Sequence, residues 1–111
     1  MNCLFCAIVA GEIPASKVKE NDNVLAFNDI NPQAPTHILI IPKVHFENAG
    51  EVAAADEKIL AELFAVASDI AAEKSLNGYR TVFNTGKDGG QTVFHAHLHL
   101  LGGRALHWPP G

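Results

Sequence analysis

His95-Ala96-His97-Leu98-His99 places three of the chain's six histidines at strict alternation inside the apolar run Val93 to Leu101. Read as a β-strand, the run puts all three imidazoles on one face and Phe94, Ala96, Leu98 and Leu100 on the other. Three explanations compete for such a row. Histidines on a solvated sheet face are the bland one, and three in alternation are rarer than single surface histidines. One zinc ion held by all three is disfavoured by reach. Alternate strand residues stand about 6.5 to 7 Å apart, so the outer pair begins roughly 13 Å apart, whereas zinc ligands must converge to about 2.0 to 2.1 Å from the ion. Two neighbours could share a metal. The third explanation, a catalytic imidazole flanked by two others, meets both reach and geometry. His97, the middle member, has neighbours on both sides able to contact the same substrate group, and a phosphorus electrophile suits a nitrogen nucleophile.

Outward from this row, Tyr79 to Asn84 reads as another strand, joined to it antiparallel through the glycine-rich turn Thr85-Gly86-Lys87-Asp88-Gly89-Gly90. Gly89-Gly90-Gln91-Thr92 can bring backbone N–H groups and a hydroxyl near His95 and His97. Between Asp56 and Leu76 the apolar positions Ile59, Leu60, Leu63, Phe64, Val66, Ala67, Ile70 and Ala71 recur at helical spacing. Asp56 is its expected N-cap and Asn77-Gly78 its expected stop. Lys17 to Glu20, Val24 to Asn28 and Thr36 to Ile41 read as strands, the first two hairpin-like. A short helical stretch is expected within residues 1 to 13, closed by Gly11 and Ile13-Pro14.

At 111 residues, 48% apolar and 18% charged, the chain is expected to be one globular domain, residues 1–111, with an irregular tail over residues 102–111. The net charge of -4 argues against a nucleic-acid groove. MNCLFCAIVA has no basic residue ahead of a short apolar run, so neither a signal peptide nor a membrane span is expected, and the location read from this is cytoplasmic. The two cysteines, Cys3 and Cys6, form a CxxC that opens the chain instead of joining a strand to a helix. A metal site is therefore preferred to a redox pair.

HAHLHLL resembles the HxHxHxx signature (x apolar) of the histidine triad, or HIT, family, and the Hint branch in particular. The resemblance runs through Phe27 to His37, Ile41-Pro42-Lys43, Asn84, Asp88 to Thr92, and Leu101-Gly102-Gly103-Arg104 to Trp108-Pro109-Pro110-Gly111. It implies an α+β fold: a five-stranded antiparallel sheet with one main helix and a short N-terminal helix, and a ten-stranded sheet across a homodimer. It also implies hydrolysis of purine nucleoside phosphoramidates, of the adenosine 5'-monophosphoramidate and AMP-lysine type, through a covalent nucleotidyl-histidine. His97 would be the nucleophile, with His99, His95 and His37 assisting, and no cofactor is required for catalysis. Asp29 would hold the ribose, with Phe27, Ile30 and Ile13 forming the base slot. Asn84, Gly90, Gln91 and Thr92 would lie at the phosphate, and Trp108 near the partner's site. Some bacterial members carry a structural zinc, which by position would fall to Cys3, Cys6, His45 and His95. The alternatives are a dinucleoside polyphosphate hydrolase of Fhit type and a nucleotide-binding scaffold dimer with weak hydrolysis. The leaving group and the choice between adenine and guanine are left open.

Overall fold

The computed structural model describes residues 3–111; Met1 and Asn2, part of the expected N-terminal helical stretch, lie outside them. Five strands, β1 (Lys17–Glu20), β2 (Val24–Asn28), β3 (Thr36–Pro42), β4 (Tyr79–Phe83) and β5 (Leu98–Gly102), form one sheet in the order β1-β2-β3-β5-β4. Every neighbouring pair is antiparallel. Among the described residues three helices accompany it: α1 (Leu4–Val9), α2 (Ala49–Ala55) and α3 (Glu57–Glu73).

Strand periodicity sorts the core into two layers. Val24 and Ala26 of β2, Ile38 and Ile40 of β3, and Leu98 and Leu100 of β5 pack against Leu63, Val66, Ala67 and Ile70 of α3. Their neighbours Leu25, Phe27, Leu39 and Ile41 point the other way and pack against Phe5 and Ile8 of α1. The central strands are thus covered on both faces, which is why VLAF and ILII read as continuous apolar runs. His37 lies two residues before Leu39, and His99 is in register with Leu39, so both belong to the α1 face.

Three expectations are corrected. β5 begins at Leu98, not Val93: the Ala96 N–H donates to the Phe46 carbonyl (2.7 Å), and the connection from Asn84 to His97 is an extended loop instead of a tight hairpin turn. α3 does start on the Asp56 cap, whose carboxylate accepts from the Lys58 N–H (3.1 Å), but it ends at Glu73. Ser75 takes a left-handed conformation (φ 53°) and stops the helix before Asn77-Gly78. α2 was not foreseen. Its signal is Asn48-x-x-Glu51: the Asn48 side chain caps the Glu51 N–H (3.0 Å) while the Glu51 carboxylate accepts from the Glu47 N–H (2.8 Å).

Candidate active site and metal cluster

Although only His99 sits in the sheet ladder, the row survives. The His97 and His99 ring centres are 4.9 Å apart, and those of His37 and His99 5.2 Å. β3 supplies His37, β5 supplies His99, and the segment ahead of β5 supplies His95 and His97. His37, His95 and His97 are buried and His99 partly so.

Main-chain groups fix the tautomers. The Gln33 N–H donates to His37 Nδ1 (3.0 Å), so His37 carries its proton on Nε2. That nitrogen is 2.9 Å from His99 Nδ1 and 3.4 Å from Asp29 Oδ2, so His37 donates and His99 Nδ1 accepts. The His99 proton is therefore on Nε2, a buried donor with no hydrogen-bond partner among the described residues. The neighbouring ring is oriented oppositely. His97 Nδ1–H donates to the His95 carbonyl (2.8 Å), which leaves Nε2 as a free lone pair. One base and one donor thus stand side by side.

Burial holds these rings neutral. It pushes His37 and His97 below the ordinary histidine range, partly offset by the Asp29 carboxylate and, for His97, by the His95 carbonyl. His99 is driven down to about 4, by burial first and then by the neighbouring His97 and His37. A neutral His97 is one able to attack.

Beside the triad, Cys3, Cys6, His45 and His95 converge, with their ligand atoms all within 4.8 Å of one another. Cys3 Sγ is 3.3 Å from His95 Nδ1, Cys6 Sγ is 3.3 Å from His45 Nδ1 and 3.5 Å from His95 Nδ1, and the two Nδ1 atoms are 3.2 Å apart. A tetrahedron with zinc bond lengths separates its ligand atoms by about 3.3 to 3.8 Å, so the set fits. The tautomer fits as well: His95 Nε2–H donates to the Pro42 carbonyl (2.8 Å), which frees Nδ1 toward the sulfurs. Burial and the adjacent Cys3 sulfur push the Cys6 thiol up to about 11. Asp29, His37 and His99 form a second convergent set. Here the tautomer opposes a metal. The Gln33 N–H occupies His37 Nδ1, so the nitrogen facing the cluster bears the proton.

The binding candidates divide. Asp29 closes a turn, with Oδ1 accepting from the Asn31 N–H (2.8 Å), while Oδ2 faces His37. Ile30 is fully exposed next to it, and Ile13 is exposed. Phe27 is buried, its ring perpendicular to Phe5 at 5.5 Å. Gly90 adopts φ +87° close to the Asn84 amide, a conformation that disfavours any side chain. Thr92 is exposed and lines a cleft of about 630 Å³ with Cys3, His45, Glu47 and Glu51, beside the sulfur cluster. Gln91 departs from expectation: its amide is spent inside the loop, accepting from the Gly86 N–H (2.9 Å) and donating to the Glu47 (2.7 Å) and Val93 (3.1 Å) carbonyls. Trp108 is exposed. Two contributors were not foreseen, the Gln33 N–H and Phe5; the first has no side-chain signal, and the second reads as an ordinary core aromatic.

The sequence profile of the HIT domain matches residues 10–106. A HIT-like protein of Synechococcus elongatus is 53% identical over 97% of this chain and 96% of that protein. A 14 kDa zinc-binding protein of Zea mays is also 53% identical, over 97% of this chain and 87% of its own length. Among solved structures, a HIT family hydrolase from Legionella pneumophila superposes with a TM-score of 0.95 at 54% identity, covering 99% of this chain and 100% of the other.

Proposed function

The chain belongs to the HIT domain family, and from that membership we propose that it hydrolyses purine nucleoside phosphoramidates through a nucleotidyl-His97 intermediate. The observation that carries the reading is the opposed tautomer pair, a free lone pair on His97 Nε2 next to the unpartnered N–H of His99 Nε2. His97 Nε2 attacks the α-phosphorus and the P–N bond breaks. The departing nitrogen needs a proton, and the His37–His99 pair supplies it. That pair is neutral in the free protein, but the phosphate's negative charge, added to that of Asp29, favours uptake of one proton. Water then attacks the nucleotidyl-histidine, its proton returns to the pair, and His97 leaves with its lone pair restored. Asp29, with Phe27, Ile30 and Ile13, is assigned to the nucleoside, and Asn84, Gly90 and Thr92 to the phosphate; Gln91 serves by shaping their loop. His95 belongs to the zinc set with Cys3, Cys6 and His45. Zinc there would supply a cross-link between the N-terminus and the triad segment, not reaction chemistry.

A homodimer completes the proposal, with β4 as the joining edge. β1, the other edge, is blunted by Lys17, Lys19 and Glu20 and by a register shift. β4 carries YRTVF, and its Phe83 ring packs at 5.8 Å against the exposed Phe64 of α3. Trp108, exposed in the single chain, is assigned to the partner's site. The experiment compares cleavage of adenosine 5'-monophosphoramidate and a dinucleoside polyphosphate by wild type and His97→Ala. The expected outcome is faster phosphoramidate turnover, reduced about 10³-fold or more in the variant. Equal activity of the two proteins removes the nucleophile assignment, and faster polyphosphate cleavage moves the substrate class to the Fhit type.

A further inference from the structure

We propose that the sulfur–nitrogen cluster and the His97 imidazole form one mechanical unit, in which Phe5 and the His95 main chain act as positioning groups that hold His97 in its attacking tautomer. The inference rests on the reading of His97 as nucleophile. Unlike His99, His95 and His97 precede β5 and have no strand ladder to fix them. The one main-chain bond between them is that of Ala96 to Phe46. Their placement therefore depends on side chains. The His95 ring is pinned at both ends, by the Pro42 carbonyl at Nε2 and by the cluster at Nδ1, and this sets the direction of the carbonyl that accepts the His97 Nδ1–H.

A second path runs through α1. Six residues are too few for a helix to hold itself, so α1 depends on its anchors. Cys3 and Cys6 tie its first turn to the cluster, and Phe5, between them in sequence, is buried under the triad. Its ring stands perpendicular to His97 at 5.1 Å (90°) and is tilted at 70° to His95 at 5.9 Å. With no cation bound, Cys3, Cys6, His45 and His95 are joined only through weak thiol contacts and two facing imidazole nitrogens. Loosening the cluster then releases both supports of His97, while the layer between the sheet and α3, which contains no cluster residue, stays intact.

The test reads His97 directly. Wild-type protein is stripped with a chelator and titrated with Zn2+ at fixed pH, and the ring-nitrogen tautomers are followed by multiple-bond 15N–1H NMR, with far-UV circular dichroism to monitor the fold. The expected result is a single Nδ1–H tautomer of His97 with zinc bound and a mixture without it, at unchanged helical signal and with the His37 and His99 signatures kept. On the phosphoramidate, kcat of the stripped protein falls about 10- to 100-fold while KM moves little, as a misplaced nucleophile requires. Phe5→Leu is expected to keep full zinc stoichiometry and yet show the mixed His97 signature. An unchanged His97 tautomer in folded, stripped protein overturns the proposal, as does failure to bind Zn2+ or a wild-type His97 signature in loaded Phe5→Leu. If stripping unfolds the chain, loaded Phe5→Leu decides alone. A zinc-dependent His97 signature in a protein inert toward phosphoramidates would instead remove the functional reading and keep the coupling.

Discussion

At the scale of single residues, three main-chain groups decide what four imidazoles do. The Gln33 N–H sends the His37 proton toward His99, the His95 carbonyl frees His97 Nε2, and the Pro42 carbonyl frees His95 Nδ1 for the sulfurs. Identical side chains thus present a donor, a free lone pair and a nitrogen facing the sulfurs. Their burial also has a pH consequence. Because His37 and His99 have folded-state pKa values below the ordinary 6.5, the unfolded chain binds more protons on acidification. Stability contributed by the neutral pair is full above about pH 6.5 and is lost as pH falls toward about 4, the His99 value. Urea unfolding followed between pH 7.5 and 4.5 should show stability falling with pH, and His99→Gln should flatten the slope. An equal slope in wild type and variant would assign the acid sensitivity elsewhere.

At the scale of elements, helix α3 and the α1 layer have separate anchors. Leu63 is fully buried between α3 and the sheet, so Leu63→Ala should cost about 2 to 5 kcal/mol in chemical denaturation, without altering zinc stoichiometry. Gly103 holds φ +90°, and an added Cβ would lie 2.9 Å from Pro35, so Gly103→Ala should destabilise the chain through both strain and the clash with the segment that leads into β3. The same elements show what the chain's pattern discloses. β1 to β4 and the start of α3 were legible because apolar, β-branched runs bounded by turn residues, helical spacing and the Asp56 cap are local signals. The end of α3 was not, since Ser75 takes a left-handed turn that its residue type does not announce. β5 is five residues shorter at its important end than the apolar run from Val93 suggests: His95 and His97 alternate as a strand would, while the His95 ring bonds Pro42, the His97 ring bonds the His95 carbonyl, and the Ala96 N–H between them bonds Phe46. The rarity of three alternating histidines made the triad legible. The tautomers were not, because they depend on backbone groups from distant segments.

At the scale of the whole molecule, the sheet places two side-chain clusters on one face: the α1 side carries both the triad and the sulfur cluster, while the α3 side is an uninterrupted apolar layer. No helix of the described residues is long and apolar enough to cross a membrane. The free edge of β4 is where the proposed second copy would join. Phe64, exposed beside Phe83, is the side chain whose replacement should discriminate. Phe64→Lys should shift sedimentation from dimer to monomer, whereas a monomeric wild type would remove the ten-stranded sheet. The central claim is chemical: His97 takes the nucleotidyl group before water does. Rapid mixing with adenosine 5'-monophosphoramidate, an alkaline quench and peptide mapping by mass spectrometry tests it most directly. The expected result is a transient adenylyl group on His97 that forms and decays within turnover; complete turnover with no adduct, or an adduct on another residue, would contradict it.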